Sequence, residues 1–155
     1  MDIFSHGLWG RGLFGYQGRP GLAVFFGILP DLFSFGLFGI LRLFEGNFQI
    51  GPPPLNIIPA WVIFNYNLSH SFIPALLFIG LIATKRKDIA FAMLGWPLHI
   101  IMDLPFHSNE YFPTQFLWPL TDFTINGIPW SHPLIWFPNL AGIIILYFYR
   151  FRKRS

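Results

Sequence analysis

Residues 89–106 read Ile89-Ala-Phe-Ala-Met-Leu-Gly-Trp-Pro-Leu-His99-Ile-Ile-Met-Asp103-Leu-Pro-Phe106. The stretch is apolar and long enough to be a candidate for crossing a bilayer, yet it carries a histidine and an aspartate near its middle. Four residues separate His99 from Asp103, just over one helical turn, so the imidazole and the carboxylate share a face at the usual spacing for two ligands of one metal ion. Such groups are costly in hydrocarbon unless they pair, bind an ion or line a wet cavity, which makes the pair a candidate functional site.

The rest of the chain fits a membrane setting. Of its 155 residues 54% are hydrophobic, 20% aromatic and 11% charged, against roughly 25% charged in an average globular domain. The expectation is one integral all-α membrane domain spanning residues 1–155 in a prokaryotic cell membrane. The chain contains no cysteine, which excludes disulfides and thiolate metal sites, so a metal must use His, Asp or Glu. The net charge of +3 comes from clusters at span ends and not from a basic face with interleaved aromatics, so no nucleic-acid partner is expected. Asp2 lies early, Arg11 late, and no small-residue cleavage motif follows, so a removable signal peptide is not expected.

Four stretches are long enough to span the membrane: residues 21–44, 57–84, 89–106 and 133–149. A short apolar segment, 3–16, precedes them as a re-entrant or interfacial helix. The dense basic clusters are Lys85-Arg86-Lys87 and the run Arg150, Arg152, Lys153, Arg154. An even number of crossings between them puts both on one side, the cytoplasm by the positive-inside rule, with Arg11 and Arg19 in agreement and Arg42 in dissent. Both termini are then expected in the cytoplasm. Trp61, Trp118, Trp130 and Trp136 suit the outer interface, and the C-terminal basic run reads as an anchor to anionic lipid.

Prolines interrupt the spans beside the polar residues. Pro30 adjoins Asp31, Pro74 follows His70 by four and removes the helical partner of its carbonyl, and Pro97 and Pro105 bracket His99 and Asp103. Broken helices are tolerated at depth where freed backbone groups face protein or water, although ordinary kinks are an equal reading of any one proline. At roughly 1.5 Å per residue, His70 lies about 21 Å from the cytoplasmic end of its span, His99 about 17, Asp103 about 23 and Asp31 about 20 Å. If the first segment dips beside span one, His6 lies about 18 Å deep. His6, Asp31, His70, His99 and Asp103 then form one layer near mid-bilayer, enough for a catalytic metal with an open position for water.

Each residue also has a structural reading. His6 fits an interfacial amphipathic helix, and Asp31 an N-cap for the helix restarting after Pro30. His70 ends a polar run, Asn65-Tyr66-Asn67-Leu68-Ser69, that can join helices by hydrogen bonds. His107 lies at the outer rim, with Ser69 and Asn65 behind the ligands or at the rim, and His132 reads as a loop residue.

The order Ser5-His6-Gly7-Leu8-Trp9, Pro30-Asp31, Ser69-His70-Ser71, His99-x-x-x-Asp103 and Phe116-Leu117-Trp118-Pro119 resembles the YdjM-like family of membrane-bound metal-dependent hydrolases over nearly the whole chain. The resemblance implies a hydrolase without naming its substrate. The chain departs from the family pattern at three places. Phe33 stands where a second aspartate is frequent, Asn65 heads a motif that otherwise begins with histidine, and Phe106 replaces a threonine. Fewer ligands imply one ion in place of two, a set completed by His6 and His107, or lost catalysis.

The expected function is hydrolysis of an ester or phosphoester of a lipid or membrane-associated substrate with a divalent metal, zinc first. His70, His99 and Asp103 are the expected ligands, with His6 a candidate fourth and Asp31 a ligand or the general base. The rival readings are a small transporter, for which a homodimer would supply the missing symmetry, and a non-catalytic scaffold whose polar layer fixes helix packing.

Overall fold

The computed structural model describes residues 1–152, and every regular element among them is helical. Lys153 and Arg154 of the expected lipid anchor lie outside the described residues. Helix α1 (Ile3–Phe14) starts where the Asp2 carboxylate accepts hydrogen bonds from the Ser5 amide at 2.9 Å and the Ser5 hydroxyl at 2.6 Å. It ends in a single 3-10 turn, and Gly18, with φ of 87°, supplies the left-handed residue that reverses the chain. Pro20 then opens α2 (Pro20–Asp31), its fixed φ suited to a first helical position.

Helices α1 and α2 lie against each other with their backbones in contact. A Cβ on Gly10 would sit 2.5 Å from the Ala23 carbonyl oxygen, and one on Gly27 would sit 2.6 Å from the His6 carbonyl oxygen. Small residues at a crossing let helices approach this closely, and in lipid such packing replaces the hydrophobic effect as the source of association. The contact brings His6, which is buried, against the middle of α2.

After Asp31 the helix widens into a π turn over Leu32–Gly36 before continuing as α3 (Leu37–Phe44). Pro30 lacks an amide hydrogen, and its own carbonyl accepts the Ser34 hydroxyl at 2.8 Å, so the widening falls where the regular ladder is already disturbed. The expected span 21–44 matches one apolar helix of 25 residues, Pro20–Phe44.

The expected span 57–84 is broken. Helices α4 (Ala60–Ser69) and α5 (Phe72–Ala83) meet at an angle of 54°. A proline at the third position of α5 has no amide hydrogen to offer the His70 carbonyl, and the chain responds by ending one helix and starting another, with the Ser71 hydroxyl accepting from the Ile73 amide at 3.2 Å. Pro74 thus occupies a first turn, where a missing donor costs nothing, and the reading of a broken bond inside one helix is corrected to a helix boundary.

The stretch 89–106 divides as well, into α6 (Lys87–Met93) and α7 (Gly95–Asp103), and the latter ends before Pro105. Helix α8 (Pro133–Arg152) closes the chain. Two helices, Pro20–Phe44 and Pro133–Arg152, are long and apolar enough to cross a membrane, or three if the bent α4–α5 pair counts as one span. Only 6% of the most apolar window of α8 is buried in the protein. Large side chains such as Leu43, Leu77, Ile145 and Phe148 are more than half exposed, an apolar exterior of the kind that membrane contact requires.

One end of the molecule gathers charge. Arg19 before α2 and Arg86 before α6 pair with Asp88 at 2.8 and 3.2 Å, and Arg86 first, Arg19 second, hold the Asp88 carboxyl down at about 2. Arg150 at the far end of α8 donates from Nε to the Gly12 carbonyl at 2.8 Å and lies 4.2 Å over the Tyr16 ring. It thereby caps α1. The turn after α1, the start of α6 and the end of α8 therefore share one end.

We expect Gly27→Ala to lower the thermal unfolding midpoint, by an amount equivalent to roughly 1–3 kcal/mol, because the new methyl group meets backbone that cannot yield. Gly21→Ala, with open space around its Cα, should leave the midpoint unchanged. Thermal unfolding in detergent followed by intrinsic fluorescence makes the comparison; equal midpoints for the two variants would show that the α1–α2 contact is not tight.

Candidate metal centre

The break points of the helices carry the site. Asp31 ends α2, His70 follows the last residue of α4, and Asp103 ends α7 one turn after His99. One ligand atom from each of Asp31, His70, His99 and Asp103 lies within 4.8 Å of all the others. His70, His99 and Asp103 are at most 1% exposed, whereas the Asp31 side chain is 23% exposed.

Each imidazole is oriented from behind. His99 Nδ1 lies 2.7 Å from the Gly27 carbonyl, and His70 Nδ1 lies 3.0 Å from the Tyr66 carbonyl. A carbonyl can only accept, so both Nδ1 atoms carry the hydrogen and both Nε2 atoms present lone pairs. These two Nε2 atoms face each other at 3.2 Å. Asp103 Oδ2 has His99 Nε2 at 3.1 Å, His107 Nε2 at 3.5 Å and His70 Nε2 at 3.7 Å, and it receives a hydrogen bond from none of them. Asp31 Oδ1 adds a further acceptor, 3.7 Å from His70 Nε2 and 3.8 Å from His99 Nε2. Acceptors converging in a buried space repel one another unless a cation lies between them. The donor set of nitrogen and carboxylate oxygen, with each imidazole held through its second nitrogen, fits a divalent transition metal.

His6 comes to the same place but outside the four-residue cluster. Its ring stacks on that of His99 at 3.6 Å, and its Nε2 lies 3.0 Å from Asp103 Oδ1, the oxygen on the other side of the carboxylate. Neither of its ring nitrogens has a hydrogen-bond partner of proper geometry. The Met1 amino nitrogen also lies against Asp103 Oδ1. Met1 is therefore buried at the site.

Of the residues expected at the rim, His107 reaches the centre, with Nε2 toward Asp103 and Nδ1 donating to the Phe112 carbonyl at 3.1 Å. Ser69 lies behind it, donating from Oγ to the Pro30 carbonyl at 3.2 Å and meeting His70 Nδ1 at 3.2 Å, so it joins the two helix breaks. Asn65 stands apart: its amide donates to the Phe33 carbonyl at 3.1 Å and joins α4 to the π turn. His132, as expected, belongs to a turn, where its Nδ1 accepts from the Leu134 amide at 3.3 Å at the start of α8.

Several positioning residues were not singled out in the sequence. Tyr66 stacks on His70 at 3.9 Å, and its hydroxyl donates to the Phe112 carbonyl at 3.0 Å and meets Thr114 at 3.1 Å. It precedes His70 by one helical turn, the same spacing that relates His99 to Asp103, and that spacing was the available signal. Trp96 donates to the Ser69 carbonyl at 2.6 Å. Asn139 on α8 donates to the Ser5 hydroxyl and accepts from Trp9, each at 2.8 Å, which fastens α1 from outside; no sequence pattern linked it to residues so far away. A cavity of about 700 Å³ opens beside the cluster and touches Asp31, Tyr66 and His107. Comparison with family models, with curated proteins and with solved structures finds no match for the chain.

Elemental analysis of the purified protein should find one divalent metal ion per chain. His70→Ala, His99→Ala and Asp103→Ala should each lose most of it while the protein still purifies as a folded membrane protein, since helices in lipid are held by packing and satisfied backbone. His132→Ala and Asn65→Ala should keep it. Full metal content in a variant lacking both His99 and Asp103 would remove the centre.

Proposed function

We propose that the protein is a membrane-embedded hydrolase that uses one divalent metal ion, zinc first, to cleave an ester or phosphoester of a lipid or membrane-associated substrate. The observation that carries this reading is the convergence of bare imidazole and carboxylate acceptors on one buried point, next to a cavity that Asp31 borders. In this reading His70, His99 and Asp103 hold the ion, which supplies a water acidified toward neutrality and polarises the scissile group. Asp31, the exposed member of the set, orients that water and takes its proton. His107 and Tyr66, on the cavity wall, orient the substrate's polar group. Similarity of the motif order to the YdjM-like hydrolases supports the same activity.

For the membrane we infer four crossings, with α6 and α7 forming one together and α1 re-entering beside α2. The end that holds Arg19, Arg86 and Arg150 then faces the cytoplasm, in keeping with the positive-inside rule. Met1, at the opposite tip of α1, lies at mid-depth in this arrangement, so the cytoplasmic placement applies to the C-terminal end and the turn after α1.

An ion-handling protein is the competing reading. It is favoured by the coincidence of Asp31 and His70 with helix breaks, since transporters build ion sites from interrupted helices. Turnover separates the two. With zinc bound, wild type should hydrolyse a member of a panel of chromogenic carboxylic and phosphoric esters. Asp31→Asn should keep the metal and lose activity by roughly 10²–10⁴-fold, because the amide matches the carboxylate in size but takes no proton. Loss of metal in Asp31→Asn would make Asp31 a ligand; stoichiometric metal without turnover of any ester would favour ion handling.

Topology has its own test. Reporter fusions after residue 152 and within the 45–59 loop should report opposite sides, and the same side for both would remove the four-crossing arrangement.

A further inference from the structure

The cavity beside the metal centre limits what can be cleaved there. At about 700 Å³ it falls in the range of sites that enclose a small organic ligand, roughly 300–1,000 Å³. Its walls are mostly apolar and include Phe106, Tyr111, Phe112 and Trp130 together with Asp31 and His107. Among the described residues no lysine or arginine is on the wall. The Met1 amino nitrogen lies on the wall, and Asp103 already engages it.

Sites that transfer or cleave phosphoryl groups surround the phosphate with arginine, lysine or several metal ions, because two or more negative charges must be balanced away from water. Here the two carboxylates, Asp31 and Asp103, offset the charge of a single divalent ion. Among the described residues no lysine or arginine of the cavity remains to balance a phosphate. An uncharged ester meets no such cost, and its hydrocarbon part gains from burial against the apolar walls.

We infer that the cavity admits an uncharged carboxylic ester with an apolar chain and rejects phosphate esters. This rests on the hydrolase reading for its chemistry but can be tested through binding alone. The reaction would add water across the acyl carbon–oxygen bond. The hydroxide oxygen bonds to the acyl carbon, the alkoxide leaves with a proton returned through Asp31, and a carboxylic acid and an alcohol result without any redox partner.

Zinc-loaded protein in nanodiscs is titrated with octyl acetate and with octyl phosphate, following heat by calorimetry against empty nanodiscs. Saturable binding of octyl acetate should be tighter than that of octyl phosphate by roughly tenfold or more. Ser108→Trp or Ser131→Trp, each placing a bulky ring into the cavity from its wall, should abolish it while metal content stays at the wild-type level. Equal or tighter binding of octyl phosphate overturns the inference, as does the absence of saturable octyl acetate binding to wild type or its persistence in both tryptophan variants. Release of octanol is measured on the same samples. Saturable octyl acetate binding without octanol release leaves the cavity's preference standing and counts against the hydrolase reading alone.

Discussion

The fold depends on how a single carboxylate is surrounded. Asp103 is 1% exposed and has imidazoles on both of its oxygens: His6 on one, and His70, His99 and His107 around the other. In hydrocarbon such a group costs several kcal/mol unless it is compensated. Elements from nearly the whole chain contribute to that compensation. Helix α1 brings His6, the break after α4 brings His70, α7 brings His99, and the chain beyond α7 returns His107 to the same carboxylate. Without a cation among them, these acceptors would be a set of lone pairs pressed together. The arrangement therefore makes sense as one site and poorly as four separate structural hydrogen bonds.

Holding these groups still falls to backbone. The carbonyl of Gly27 fixes His99, the carbonyl of Tyr66 fixes His70 and the carbonyl of Phe112 fixes His107. Gly27 does this while allowing the His6 backbone to lie against its own Cα, so one residue without a side chain sets the position of two imidazoles. Beyond α7 the chain is pinned in the same manner. The amides of Gly127, Ile128 and Trp130 donate to the carbonyls of His107, Pro105 and Phe106 at 2.8, 2.9 and 3.1 Å. A Cβ at Gly127 would sit 2.1 Å from the Pro105 oxygen. Rigid support of this kind keeps the buried side chains of the cluster in fixed positions.

Much of this was legible before any coordinates. The spacing of His99 and Asp103 states that they share a helical face, and counting residues from the charged ends puts His6, Asp31, His70, His99 and Asp103 in one layer; the ligand atoms of four of them, Asp31, His70, His99 and Asp103, lie within 4.8 Å of one another. The helical class and the two longest apolar helices were readable from hydropathy. What hydropathy could not show was where apolar stretches bend. Residues 57–84 are apolar on either side of the polar run 65–71, and the 54° turn at His70 comes from Pro74 and the Ser71 cap acting together, neither of which decides the matter alone. His107 was expected only at a rim because its approach to Asp103 depends on a chain reversal after Pro105 that no periodicity encodes. Tyr66 was hidden in a polar run where its neighbour Asn65, which points away, looked equally eligible. Arg150 resembled its basic neighbours, and only the position of Gly12 across the helix pair gave it a carbonyl to cap.

The breaks and the site share one cause. A helix in lipid satisfies its backbone internally, so an ion bound at depth must find its ligands either on side chains that reach inward or at points where the helix has opened. This chain uses both. The helix widens just after Pro30 and breaks before Pro74, and serines claim backbone groups at both places: the Pro30 carbonyl accepts from Ser34 and Ser69, and the Ser71 hydroxyl accepts from the Ile73 amide. The prolines thus create space for a polar centre, while the serines prevent the open backbone from becoming a cost. Read in this way, Ser69 is more than a neighbour of His70. It donates to the Pro30 carbonyl at the widened turn and stands against the imidazole at the break after α4, so a displacement at either place is felt at the other. A single serine couples the two openings from which Asp31 and His70 reach the same point.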